Sequence, residues 1–271
     1  MSYMKKVLPL LVFFLVCGCL DVSQEIHVNK DGSGRIIERV MMSKSALKQL
    51  NAFFSSFPSD KKSKPEKIDI YDKKKLIADA QNYGPDVEYV KSRKLSGKTK
   101  EGYEVEYSFK DINTLRINQN PGDKGPKKSD SKANRKEENV TFHFEKGSPA
   151  LLTVNFQGQA KPSKEEKRKA GKANKEDEKK AIDQMREILK DFYIGITVQP
   201  EGEIVETNAT YREGNKITLL EMDFNKLLSD EKQLEIFAEK DPDSVEEAKA
   251  LLRKLPGFKV EPNKKVTIKF E

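Results

Sequence analysis

Tryptophan is absent from the 271-residue chain, and cysteine and histidine occur twice each. Both cysteines, Cys17 and Cys19, stand near the N-terminus. Nothing beyond residue 19 can therefore supply a thiol nucleophile, a thiolate zinc ligand or a disulfide. His27 and His143 lie far apart and form no His-Glu-x-x-His zinc pair. A Gly-x-Ser-x-Gly elbow is also missing. With eight tyrosines scattered along the sequence, no aromatic platform for stacking on sugar rings is legible. The one long apolar run, "VLPLLVFFLV", has ten residues, too few for a helix to span a bilayer.

Charge of one sign is not in strong excess. Lysine and arginine number 51 against 44 acidic residues, a net +7. Without Lys5 and Lys6 in the leader, 49 basic and 44 acidic residues remain, a net +5. That charge is spread widely and leaves no nucleic-acid footprint. Charged residues make up 35% and hydrophobic ones 36%, so the core is modest and much of the chain is solvated. "GDKGPKKS" superficially suggests a phosphate loop. Its glycine spacing is wrong, Pro126 stands where a backbone N–H should donate, and no strand feeds it.

The N-terminus carries the most specific signal. "MSYMKK" is basic, the ten-residue apolar run follows, and "VCGCLD" comes next. Gly18 directly precedes Cys19, and Val16 lies three residues before it. This resembles the lipobox of bacterial prolipoproteins, although Val16 and Cys17 depart from its strongest form, which has Leu and then Ala, Ser or Thr there. The resemblance implies a signal peptide at residues 1–18, cleavage before Cys19, and lipidation of the Cys19 thiol. The mature chain, residues 19–271, is then a membrane-anchored extracytoplasmic protein at the cell envelope. In a host with two membranes, Leu20 is not the Asp that signals inner-membrane retention, so the outer membrane is the expected destination.

"HVNKDGSGRIIE", His27 to Glu38, nearly matches the register of an EF-hand calcium loop. Position 1 should be a carboxylate and is His27. The flanks are wrong as well: "QEIHVN" alternates with the period of a strand, and "RIIERVMM" is rich in β-branched residues. Two strands joined at "KDGSG" read as a β-hairpin, with glycines supplying the positive φ a tight turn needs.

Further elements follow from spacing. Ser43 caps a helix with Ala46, Leu47, Leu50, Phe53 and Phe54 along it, and "DKKKLIADAQNYG" is a second helix closed by Gly84. "DVEYVKSRKL" and "YEVEYSFKDI" form a hairpin, as do "VTFHF" and "LLTVNF". Residues 118–138 and 157–180 are polar tracts expected to be mobile, the second opening a long helix that docks through Ile182, Met185, Ile188, Leu189 and Phe192. Antiparallel strands then turn at "PEGE" and "REGN". A helix follows Ser229, another starts at Asp241 and Pro242, and "KVTIKFE" closes as a strand. The expected fold class is α+β: one domain with an antiparallel sheet built from hairpins, packed helices and two long polar excursions. The pattern "VNKDGSGRIIERVMMS", "VEYVKSRKL…GYEVEYSF" and "GITVQPEGEIVETN" resembles the LppM-like class of bacterial lipoprotein domains. That resemblance implies a membrane-tethered domain that meets lipid and transfers no site residues.

Carboxylates are plentiful. "EMDF" places Glu221 and Asp223 on one side of a strand end, where reaching water is the simpler account than an acid/base pair. Both histidines are expected on solvent-facing strand positions. The leading reading is a non-enzymatic envelope lipoprotein that binds or organises something, with no cofactor or metal and no nucleic-acid partner. Its stated partner is membrane lipid through Cys19. The alternatives are a lipid-handling module with an apolar cavity and a carboxylate-dependent envelope hydrolase.

Overall fold

A computed structural model describes residues 20–55, 69–118, 139–156, 186, 189–230, 232–233 and 245–271. The chain begins with β1 (Leu20–Val28) and β2 (Gly34–Ser43), paired antiparallel from Leu20 with Met42 to Val28 with Gly34. The hairpin reading of His27–Glu38 is correct. Gly32 sits at φ +88°, its N–H donates to the Asn29 carbonyl (3.0 Å), and Asn29 N–H donates to the Ser33 carbonyl (2.8 Å).

Period-two alternation gives this hairpin an apolar inner face. Leu20, Val22, Ile26 and Val28 of β1 and Ile36, Val40 and Met42 of β2 are buried on one side. β3 (Val87–Ser96) and β4 (Lys100–Phe109) form the expected second hairpin, with β4 docked on β2. β8 (Tyr193–Pro200) then pairs with β1, followed by β11 (Lys216–Asp223). β10 (Arg212–Glu213) and β12 (Phe258–Val260) complete an eight-stranded sheet around β11. A second sheet of five strands has the order β5 (Arg116–Asn118), β6 (Asn139–Glu145), β7 (Ala150–Phe156), β13 (Lys265–Phe270), β9 (Ile204–Thr207). The inward residues of both sheets belong to one hydrophobic cluster.

The α+β reading holds, with two refinements. The β1–β8 pair is parallel, because β8 reaches β1 only through a long crossover of chain. The strands around "PEGE" do not form a hairpin. Glu201 N–H donates to the Val28 carbonyl in the first sheet (2.7 Å), and Glu203 exchanges hydrogen bonds with Glu271 in the second. Between them Gly202, at φ +86°, lies so close that a Cβ would meet the Glu271 carbonyl oxygen at 2.2 Å. The chain changes sheets there.

Helices cover part of the first sheet's inner face. In α1 (Lys44–Ser55) the Ser43 hydroxyl accepts from Ala46 N–H (3.1 Å), the cap expected from sequence. In α2 (Lys73–Asp79) the Asp72 carboxylate accepts from Lys74 and Lys75 N–H, and a 3-10 turn, Ala80–Asn82, extends it to Tyr83. α3 (Phe224–Leu228) was not anticipated from the sequence and ends at Ser229; of the helix expected after Ser229, Lys232 and Gln233 are described and are helical, with Gln233 N–H donating to the Asp230 carboxylate (3.1 Å). α4 (Val245–Leu252) falls on the last expected helix. Most of the polar tracts 118–138 and 157–180, the seam residues Ile182, Met185 and Ile188, and the caps Asp241 and Pro242 lie outside the described residues. Among the described residues no helix is long and apolar enough to cross a membrane.

Candidate functional site

The inner face of the first sheet carries a polar cluster at its centre. Gln24 and Glu38 stand directly opposite each other on β1 and β2, at positions whose same-face neighbours Val22, Ile26, Ile36 and Val40 are apolar and buried. Glu38 is only 2% exposed. Gln24 Nε2 donates to Glu38 Oε2 (2.8 Å) and to the Tyr83 hydroxyl oxygen (2.9 Å). The Tyr83 hydroxyl donates to Glu38 Oε2, and the Tyr103 hydroxyl donates to Glu38 Oε1 (3.1 Å). The carboxylate thus accepts from three side chains on three elements, which offsets the cost of burying it.

Burial, and then the Glu38 charge, push the hydroxyls of Tyr83, Tyr103 and Tyr107 well above the ordinary phenol value. The three stay protonated as donors. Tyr107 spends its hydroxyl on the Leu76 carbonyl at the end of α2's first turn (3.0 Å), and its ring lies 5.2 Å from that of Tyr83. Tyr71 and Tyr89 share the Ser92 hydroxyl nearby. Tyrosines scattered in sequence are therefore gathered by the fold, chiefly as packing that pins the helical layer to the sheet. Neither Gln24 nor these tyrosines was singled out from sequence, and Glu38 was considered only as an EF-hand position. A polar residue in the inward register of an apolar strand was the available signal.

Glu38 faces inward, whereas His27 lies on the opposite face of the same sheet. The two ends of the apparent calcium loop therefore point apart. His27 is half-buried rather than solvent-facing, with Nε2 3.6 Å from Glu25 Oε2. Burial and the neighbouring Arg35 hold its pKa below 6.5. His143 is exposed beside Glu145 (3.4 Å), as its alternation with Phe142 and Phe144 required. Among the described residues no three His, Cys, Asp or Glu side chains are placed to hold a metal ion.

Glu221 and Asp223 do share a side, and lysines occupy them. Lys226 Nζ lies 3.3 Å from Asp223 and 3.6 Å from Glu221, and Lys259 Nζ lies 3.2 Å from Glu221 and 3.1 Å from Glu213. The Glu221 and Asp223 side chains are only 17% and 19% exposed, so this strand end is ion-paired rather than reaching freely into water as the sequence suggested. Cys19, the sequence-predicted lipidation residue, lies outside the described residues, one position before Leu20 at the start of β1.

No family model and no curated protein matches the chain. Among solved structures it is similar to the folded domain of LppM from Mycobacterium tuberculosis, determined by NMR. The identity is 10%, the match covers 76% of this chain and 82% of that one, and the TM-score is 0.28.

Proposed function

We propose that the protein is a non-enzymatic bacterial lipoprotein whose α+β domain is tethered through Cys19 to a membrane on its extracytoplasmic side, the periplasmic face of the outer membrane in a two-membrane host, and serves there as a binding or structural module. The observation that carries the reading is the junction at Cys19. The basic start, the ten-residue apolar run and Gly18-Cys19 are the signals for lipidation. Every described strand and helix follows them, beginning at the next residue, Leu20. Two or three acyl chains, at roughly 0.8 kcal/mol per buried methylene, make such attachment effectively permanent. In a two-membrane host, Leu20 after the cysteine favours outer-membrane residence.

A binding or structural role, rather than hydrolysis, is supported by the engagement of the carboxylates. Glu38 is held by Gln24, Tyr83 and Tyr103, and Glu221 and Asp223 are held by lysines. Mass spectrometry of the N-terminal peptide from membrane-extracted protein tests the reading. It predicts a chain beginning at Cys19 that carries diacylglycerol. An unmodified Cys19, or a leader still attached, would refute it.

A further inference from the structure

We infer that the end of the eight-stranded sheet next to Cys19 is a membrane-facing surface that rests on anionic lipid headgroups, its lysines turned to the bilayer; this rests on the Cys19 anchor. Leu20 is bonded to Cys19 and is already fixed in the ladder opposite Met42, so no linker separates the anchor from the sheet. Consecutive Cα atoms are about 3.8 Å apart. The sheet end therefore lies at the lipid surface, within roughly the 8–10 Å over which exposed charges act at physiological salt.

Strand register defines what else stands there. Asp223, Tyr193, Asp21, Met41 and Gly102 form one row across β11, β8, β1, β2 and β4, and Leu20, Met42 and Glu101 stand one residue nearer the end. The β3–β4 turn and the start of α1 complete the end, joined where Lys44 N–H donates to the Thr99 carbonyl (2.9 Å) and Lys44 Nζ to the Gly97 carbonyl (2.7 Å). Lys44, Lys98, Lys190 and Lys226 are exposed on this rim. Its acids, Asp21, Glu101, Asp191 and Asp223, are only half-exposed. Lys100 holds Asp21 (3.5 Å) and Lys226 holds Asp223 (3.3 Å). The outermost layer is thus lysine.

The opposite end has the reverse balance. Among the described residues, five cations are exposed there, Lys30, Arg35, Lys110, Lys146 and Arg212, against eight acids, Asp31, Asp86, Glu88, Glu145, Glu201, Glu203, Glu213 and Glu271. A modest net charge is therefore arranged as an asymmetry along the strands. A negative bilayer attracts the end that carries the anchor and repels the other, which sets the domain upright on its tether.

The test uses the mature chain from Cys19, which holds every described element, coupled through that thiol to a maleimide lipid. It is placed in vesicles of phosphatidylcholine alone or with phosphatidylglycerol. Amine acylation of each lysine is followed by mass spectrometry. A headgroup contact of the usual strength should slow labelling of Lys44, Lys98 and Lys190 by up to ~5-fold in the anionic vesicles. Half-molar salt should restore it, and Lys30 and Lys146 should be unaffected. With Lys98→Glu and Lys190→Glu together, the slowing of Lys44 should largely disappear. Equal ratios for rim and far-end lysines would overturn the surface. Chemical coupling separates the two ideas: rim protection here with no acyl group on Cys19 in cells would leave the lysine surface standing and remove its biological anchor.

Discussion

Glu38 and its donors set the behaviour of the interior. Tyr83, Tyr103 and Tyr107 have folded-state pKa values above the ordinary 10.0, from burial first and from Glu38 second. The unfolded chain therefore gives up phenolic protons above pH 10 while the folded one keeps them. The stability associated with these groups is intact below about pH 10 and is lost progressively as pH rises beyond it. The slope approaches ~1.4 kcal/mol per pH unit for each tyrosine. Urea unfolding between pH 9 and 11.5 should show this decline, and Tyr103→Phe should make it shallower. The same variant should cost ~1–3 kcal/mol at neutral pH, because the buried carboxylate loses a donor. An unchanged alkaline slope in Tyr103→Phe would show that lysine titration, not the cluster, governs the decline.

Among the elements, the β1–β2 turn and β13 lend themselves to direct tests. Gly32 needs φ +88°, and a Cβ there would lie 2.6 Å from the Phe144 ring. Gly32→Val should therefore cost ~2 kcal/mol or more, from the left-handed backbone and from displacing that ring. Asp31→Ala should cost less, although more than turn propensity alone, since the Asp31 carboxylate accepts from both the N–H (2.9 Å) and hydroxyl (2.6 Å) of Ser33. Thermal melts of both variants check the order; equal losses would contradict it. β13 pairs with β7 on one side and β9 on the other, and Phe270 is fully buried beside Phe144. Phe270→Ala should cost ~3–5 kcal/mol, measured by denaturant unfolding.

These elements also show what the sequence could reveal. Alternation identified β1, β2, β6, β7 and β13, and Ser43 marked a helix start, because such signals are local. The parallel β1–β8 pair and the crossing at Gly202 were not legible, since pairing between distant strands leaves no local period. Helix α3, only five residues long, is too short to show one. Gln24 and Glu38 went unread from the sequence, although a polar residue in an apolar register is a local signal for each. Their partner Tyr83 carries no such signal, because it comes from a 3-10 turn whose position depends on tertiary packing.

At the scale of the whole molecule, each sheet draws strands from both sides of the second polar tract. β1 with β8 in the first sheet, and β7 with β13 in the second, tie residues before 157 to residues after 192. Limited proteolysis should cut first within the polar tracts. The resulting fragments should co-elute on size exclusion and separate only in denaturant. Separation into independently folded pieces would show two domains in place of one.

The central claim is the anchor, and substitution of its cysteine tests it most directly. Wild-type protein and Cys19→Ser are expressed in a bacterial host, and membranes are washed with high salt and alkaline carbonate. The wild type should stay with the membrane and incorporate labelled fatty acid. Cys19→Ser should incorporate none, so that no acyl chain holds its domain to the bilayer. Fatty-acid labelling of Cys19→Ser at the wild-type level, with the protein still resistant to the wash, would contradict the account.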